Sequence, residues 1–340
     1  MNAVFFGEPG GPEKLVQGQF PDPKAAPGEV LVRVKACALN HIDVWVISGS
    51  PAYKVPLPHA PGSDIAGVVE SPAEGFPGGT RVVVMPLSSC GKCPQCTAGR
   101  TNLCGERKVI GASTRWGGYA ELVTVPTTQL IALPDSVSYV QAAALPVAYM
   151  TAWHMLTYRA AVKAGETVLV TAAGSGVGSA AIVLARHLGA KVYATAGSEG
   201  KRVMAGNIGA EVAFDHGDAE YARKVVEATG GRGVDVVIDC VGTPVLERTL
   251  PALAPSGRLV TCGATTGPKV ELELRLLFSR QLSILGSYLG TMAELATLVK
   301  MVASGKLKPV IDSAVPAGSA RQGLERMLAR DSFGKIVLAR

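Results

Sequence analysis

The stretch 167–178 reads Thr-Val-Leu-Val-Thr-Ala-Ala-Gly-Ser-Gly-Val-Gly, and it constrains the fold more than any other part of the chain. A β-branched apolar run enters a loop of small residues, and a helix-length run, 179–188, follows at once. Small residues let a backbone approach a pyrophosphate. The helix N-terminus behind them offers free N–H groups and the positive end of a dipole. Gly178 lets the helix pack closely on the strand. A plain tight turn in any α/β protein is the alternative, and the surroundings weigh against it. Further strands are predicted over 191–195, 211–214, 234–239, 258–262 and 283–286, most of them separated by helical segments. That alternation predicts an α/β domain with a doubly wound parallel sheet of about six strands and right-handed connections.

The rest of the chain has another rhythm. The first 125 residues predict short strands, such as 30–36, 65–70, 81–85 and 119–125, cut by Pro and Gly. They read as a compact β-barrel-like unit with long loops. A helix-length run covers 138–158, and the tail from about Thr291 reads helix, strand, helix, strand. A length of 340 residues suits two domains. Apolar residues make up 48% and charged residues 18%, which excludes a disordered chain. The net charge of +6 is spread without a block of five like charges, so no nucleic-acid partner is expected. No apolar run reaches about 18 residues and the start lacks a basic leader, so no membrane span and no targeting segment are expected.

Four of the seven cysteines fall within fifteen residues: Cys90, Cys93, Cys96 and Cys104. Four thiolates at such spacing suit one tetrahedral, structural zinc per chain with no open position. Free thiols or two disulfides are the alternatives. The odd, clustered count points instead to a metal site in a reducing cytoplasm. In the glycine loop, Gly174, Ser175, Gly176, Val177 and Gly178 are the candidate phosphate cradle. A site for NAD expects an acid at the end of the second strand, to bond the ribose 2′-hydroxyl. Here that strand runs into Ala196-Gly197-Ser198-Glu199-Gly200-Lys201-Arg202. Ser198 can bond, and Lys201 and Arg202 can offset, a 2′-phosphate, so NADP(H) is favoured over NAD(H). Glu199 facing the ribose is the opposing possibility.

The glycine loop and cysteine lobe, in this order, resemble the medium-chain dehydrogenase/reductase superfamily of zinc alcohol dehydrogenases and quinone oxidoreductases. So do Asn40-His41-Ile42-Asp43, Pro61-Gly62-Ser63-Asp64 and the closing Phe333-Gly334-Lys335-Ile336-Val337-Leu338. The resemblance covers essentially the whole chain. It implies a GroES-like catalytic domain over 1–124 and 291–340, with the zinc lobe at about 88–106, and a Rossmann cofactor domain over 125–290. It also implies a homodimer or homotetramer, joined at the edge Gln281 to Gly286.

Alcohol dehydrogenases of this family carry a second, catalytic zinc. By the resemblance its ligand positions fall on Asn40, on Ser63 and within 145–148, with Asp64 beside the second; none of the three positions offers a good zinc ligand. Asn40 and Asp43 match instead the Asn-x-x-Asp of the quinone oxidoreductase branch. The implied activity is NADPH-dependent hydride transfer to a quinone or α,β-unsaturated carbonyl without a catalytic metal. Asn40, Asp43, Tyr53 and Asp64 are the catalytic candidates. Asn40, Thr151, Cys262, Gly263, Ala264, Leu285, Gly286 and Ser287 are expected near the nicotinamide. Two alternatives stand: a zinc alcohol dehydrogenase with ligands drawn from Cys37, His41, Asp43, His59 and Asp64, and a nucleotide-binding protein without catalysis. The substrate pocket is expected in the loops 47–57, 111–117 and 263–277.

Overall fold

The computed structural model describes residues 1–73, 75–113 and 116–340, so residues 114 and 115 of one expected pocket loop lie outside it. The chain divides into two compact units, Met1–Met150 with Gly290–Arg340, and Thr151–Leu289. No helix among the described residues is long and apolar enough to cross a membrane.

The first unit is built on a seven-stranded sheet. Its axis is Glu29–Ala38, ten residues that alternate between buried and half-buried positions along most of their length. Asp64–Val69 pairs antiparallel along one side. On the other side, Leu122–Pro126 pairs with residues 29–33 and Lys335–Ala339 with residues 36–38. Arg81–Val84 and Leu130–Ala132 extend one flank and Ile311–Pro316 the other. The register sets Ala38 opposite both Asp64 and Val337. Three distant parts of the sequence therefore meet at the end of the central strand.

The division at residues 150 and 151 corrects the boundary expected near residue 125. Leu122–Pro126 and Leu130–Ala132 are strands of the first sheet, and the helix Tyr139–Ala143 packs on its strands Glu29–Ala38 and Asp64–Val69. The change of rhythm near residue 135 marks a change of element, not of unit. The expected helix over 138–158 is broken as well. Residues Leu145–Tyr149 and His154–Arg159 form π-helical turns around a short α segment, Met150–Trp153.

The second unit is a six-stranded parallel sheet in the order Val212–Asp215, Lys191–Ala196, Thr167–Val170, Val234–Asp239, Leu253–Thr261, Ser283–Gly286. That is the 3-2-1-4-5-6 order of a dinucleotide-binding fold. Its ligand crevice lies beyond the carboxyl ends of the first and fourth strands, where the order reverses. Helices Gly176–His187, Glu199–Asn207 and Tyr221–Ala228 are among its crossovers.

Candidate functional site

The nucleotide crevice of the second unit is shaped by its first strand and loop. Ser175 caps the helix Gly176–His187, and its Oγ accepts from the Gly178 N–H at 2.9 Å. A Cβ on Gly178 would stand 2.3 Å from the Ala172 carbonyl oxygen, so only glycine lets the helix start this close to the strand. The loop thus keeps a capped helix N-terminus with small side chains, which fits a pyrophosphate. Asp239, fully buried at the end of the fourth strand, accepts from the Thr171 and Thr261 hydroxyls and the Val241 and Gly242 N–H groups, at 3.0–3.3 Å. It ties together three strand ends around the crevice, and no motif in the sequence marked it. Cys262-Gly263-Ala264 follows the fifth strand, Leu285-Gly286-Ser287 spans the end of the sixth on the same edge of the sheet, and Thr151 is buried at the start of the unit.

At the end of the second strand the geometry refines the sequence reading. Ser198 caps the helix Glu199–Asn207, with its Oγ accepting from the Lys201 N–H at 3.4 Å. The Lys201 side chain lies over Gly174, where a Cβ would meet its Cδ at 3.0 Å and its Nζ at 3.4 Å. Arg202, offered with Lys201 for a 2′-phosphate, pairs with Asp215 at 3.1 Å. His216 was missed. Its Nε2 lies 2.9 Å from where a Gly197 Cβ would be, so an imidazole edge reaches the very end of the second strand. Only the strand order, which sets 212–215 beside 191–196, brings it there.

In the first unit the four thiols of Cys90, Cys93, Cys96 and Cys104 lie within 4.8 Å of one another. Tetrahedral zinc with bonds of about 2.3 Å implies sulfur–sulfur edges of about 3.8 Å. The Cys93–Cys96 and Cys90–Cys96 pairs stand at 3.5 and 3.9 Å. The N–H groups of Lys92 and Cys93 pull the Cys90 thiol down to about 7, while burial and the Cys93 thiol push Cys96 up to about 11, so a thiolate forms first at Cys90. The cluster fits a structural zinc.

The sheet register brings a second group together. Asn40, Asp43, Asp64 and Lys335 are all buried. The Lys335 ammonium donates to the Leu39 carbonyl at 2.7 Å, to Asn40 Oδ1 at 2.6 Å and to Asp64 Oδ2 at 3.0 Å, three acceptors for three protons. Asn40 Nδ2 donates to Asp64 Oδ2 at 2.9 Å and to the Ala38 carbonyl at 3.3 Å. Asp64 Oδ1 accepts from Val147 N–H in the π-helical turn at 2.7 Å. Asp43 Oδ2 accepts from the Asn40 N–H at 2.8 Å and from the Tyr119 hydroxyl at 3.0 Å. Burial pushes the Asp43 carboxyl up to about 7, against the pull of these two donors and of Lys335. Each polar atom of the Asn40 side chain, and each oxygen of Asp64, is thus engaged inside the protein.

The other candidates stand elsewhere. Tyr53 stacks on Trp45 with 6.0 Å between ring centroids, and His41 meets Trp45 edge-on at 5.1 Å. His59 is fully buried, and its Nε2 bonds the Gly111 carbonyl at 2.8 Å. Ser63 donates to the Ile110 carbonyl at 2.7 Å. The five residues proposed for an unconventional metal do not converge: among the described residues the four cysteines are the one group of three or more His, Cys, Asp or Glu placed to hold an ion.

Residues 26–135 match the family model described as alcohol dehydrogenase GroES-like domain, and residues 176–304 the model described as zinc-binding dehydrogenase. The quinone oxidoreductase of Rattus norvegicus is 34% identical over 347 residues, spanning 99% of this chain and 97% of its own. The chain belongs to the medium-chain dehydrogenase/reductase superfamily. As a member it is an NAD(P)H-dependent oxidoreductase with a GroES-like domain and a Rossmann sheet. Other members of the superfamily lie as near. The crystal structure of an NAD-dependent alcohol dehydrogenase superposes with a TM-score of 0.95 at 42% identity, covering both chains completely. The acryloyl-coenzyme A reductase of Metallosphaera sedula is 31% identical, over 93% of this chain and 94% of its own.

Proposed function

We propose that this protein is an NADPH-dependent reductase of quinones or α,β-unsaturated carbonyls that uses no catalytic metal. The carrying observation is the saturated cluster at Asp64. Where the resemblance places catalytic zinc ligands stand an amide, a hydroxyl and an apolar turn. The one carboxylate beside them already accepts from Lys335, Asn40 and Val147. A second zinc does not fit these residues. Alcohol oxidation then lacks a Lewis acid for the alkoxide. Reduction of a conjugated acceptor spreads the incoming charge over several atoms and needs only hydrogen-bond donors.

In this reading Ser175 to Gly178 seat the pyrophosphate, and Lys201 with His216 seats the 2′-phosphate, Ser198 holding the helix start between them. Thr151, Cys262 to Ala264 and Leu285 to Ser287 surround the nicotinamide. The nucleotide supplies the hydride when bound. Asn40, Asp43 and Asp64, placed among the catalytic candidates by sequence, become a rigid polar floor; Tyr53, with Trp45, offers an aromatic face to a planar acceptor. The quinone oxidoreductase and acryloyl-coenzyme A reductase relatives both carry names of this chemistry.

The test compares turnover of a quinone and an enone with NADPH against oxidation of primary and secondary alcohols with NADP+ and NAD+. Quinone or enone reduction that survives a mild chelator, with alcohols inert, supports the reading. Alcohol oxidation that a chelator abolishes and zinc restores overturns it.

A further inference from the structure

Two cysteines outside the zinc lobe stand at the ends of neighbouring strands. Cys240 directly follows Val234–Asp239, and Cys262 directly follows Leu253–Thr261. The strands are parallel, with Asp239 and Thr261 as the last register partners, so each cysteine stands one residue beyond that pair. The Cys262 N–H donates to the Asp239 carbonyl at 3.1 Å, which continues the pairing up to these residues. Adjacent strands run about 4.8 Å apart, within the Cα separation of about 4.4–6.8 Å that a disulfide spans. Both thiols are free. Cys240 Sγ also lies 3.4 Å from Ser175 Oγ, the cap of the phosphate-binding helix.

We propose that Cys240 and Cys262 form a reversible disulfide that closes the nucleotide crevice when the surroundings turn oxidising. The inference rests on the reading of this crevice as the NADPH seat. The oxidant is a low-molecular-weight disulfide of the oxidised glutathione class. One cysteine thiolate attacks it, its S–S bond breaks, and one small thiol leaves with a proton. The second cysteine then displaces the remaining small thiol from the mixed disulfide. The protein loses two electrons and two protons, and the reagent becomes two thiols. Closing to a bond of about 2.05 Å draws Cys240 from Ser175 and clamps the turns 240–242 and 262–264 together. Both turns border the crevice. Burial pushes Cys240 up to about 12 and Cys262 well above the ordinary thiol range. Little thiolate exists at neutral pH, so closure is slow and speeds up about tenfold for each unit of added pH. It therefore responds to standing oxidation rather than cycling with each turnover.

The test treats the full-length, zinc-loaded protein with oxidised glutathione at pH 7 and pH 9. Peptide mass spectrometry locates the bond, and nucleotide fluorescence gives the Kd for NADPH. The expected result is a 240–262 disulfide, a Kd raised at least tenfold, recovery with dithiothreitol, and unchanged zinc content. In Cys240→Ala the ratio of oxidised to reduced Kd should be one, each form compared with its own reduced state. The inference is overturned if no bond forms at pH 9, if the bond forms with Kd unchanged, or if Cys240→Ala loses affinity on oxidation as the parent does. A reduced protein that binds NADH but not NADPH would instead sink the cofactor reading, and the same ratios taken with NADH would then decide the switch.

Discussion

Lys335 is the residue on which the first unit's polar floor depends. Its side chain is 3% exposed and its partner Asp64 is fully buried. A buried ion pair of this kind adds little net stability, but breaking one half leaves an uncompensated charge. Lys335→Met should cost about 3–5 kcal/mol in urea unfolding. Adding Asp64→Asn should recover a good part of that loss, because the orphaned charge goes with it. Asp43 carries a pH signature. Its folded carboxyl titrates near 7, above its ordinary value of 3.8, so the folded state binds the extra proton. Its contribution is complete below about pH 4, shrinks as pH rises toward 7, and is flat above that. Asp43→Asn should remove this slope of a few kcal/mol from a stability profile between pH 4 and 8. A slope of the same size in Asp43→Asn would assign it to another group. None of this was legible in the sequence beyond the identity of Asn40, Asp43 and Asp64. Lys335 lies 271 residues from Asp64, and only the register around Ala38 makes them neighbours.

At the scale of the element, the motifs that stay within one stretch of chain were read directly. The cysteine lobe closes over fifteen residues, and its spacing alone predicts the cluster; the glycine loop sits between one strand and one helix, as its flanking sequence predicts. The proposed 2′-phosphate seat is less legible in sequence because three strand ends would build it. Arg202 looked equivalent to Lys201 on the helix surface, yet Asp215 takes it, and His216 comes from the third strand. Lys201→Ala and His216→Gln should each lower kcat/KM for NADPH about tenfold or more while leaving NADH within a factor of two, as loss of a charge-assisted bond implies. Arg202→Ala should change neither. Equal losses for both nucleotides would place these side chains outside the 2′-phosphate seat.

At the scale of the whole molecule, two units were expected and two are found, but their division came 25 residues late in the chain. Strands at 122–126 and 130–132 complete the first sheet, and a strand's partner is invisible to periodicity. The proposed assembly concerns the open edge of the second unit. Among the described residues Ser283–Gly286 has one neighbour in the sheet, and Leu274 and Phe278, in the helix that precedes it in the chain, are 64% and 70% exposed. An unpaired edge and exposed apolar side chains suit a two-fold contact with a second copy. Ile284 packs in part against its own unit's core, so a charge there would disturb folding as well. Phe278→Glu is the cleaner probe. It should lower the mass seen by light scattering without changing the unfolding midpoint by more than a degree or two. An unchanged mass would place the contact elsewhere.

The central claim is hydride transfer without a catalytic metal. Zinc per chain, measured by elemental analysis on buffer-exchanged protein that reduces a quinone or enone with NADPH, tests it most directly. One equivalent, held by Cys90, Cys93, Cys96 and Cys104 and retained at full turnover, is the predicted result. Two equivalents, with turnover lost as a chelator removes the second, would contradict the account.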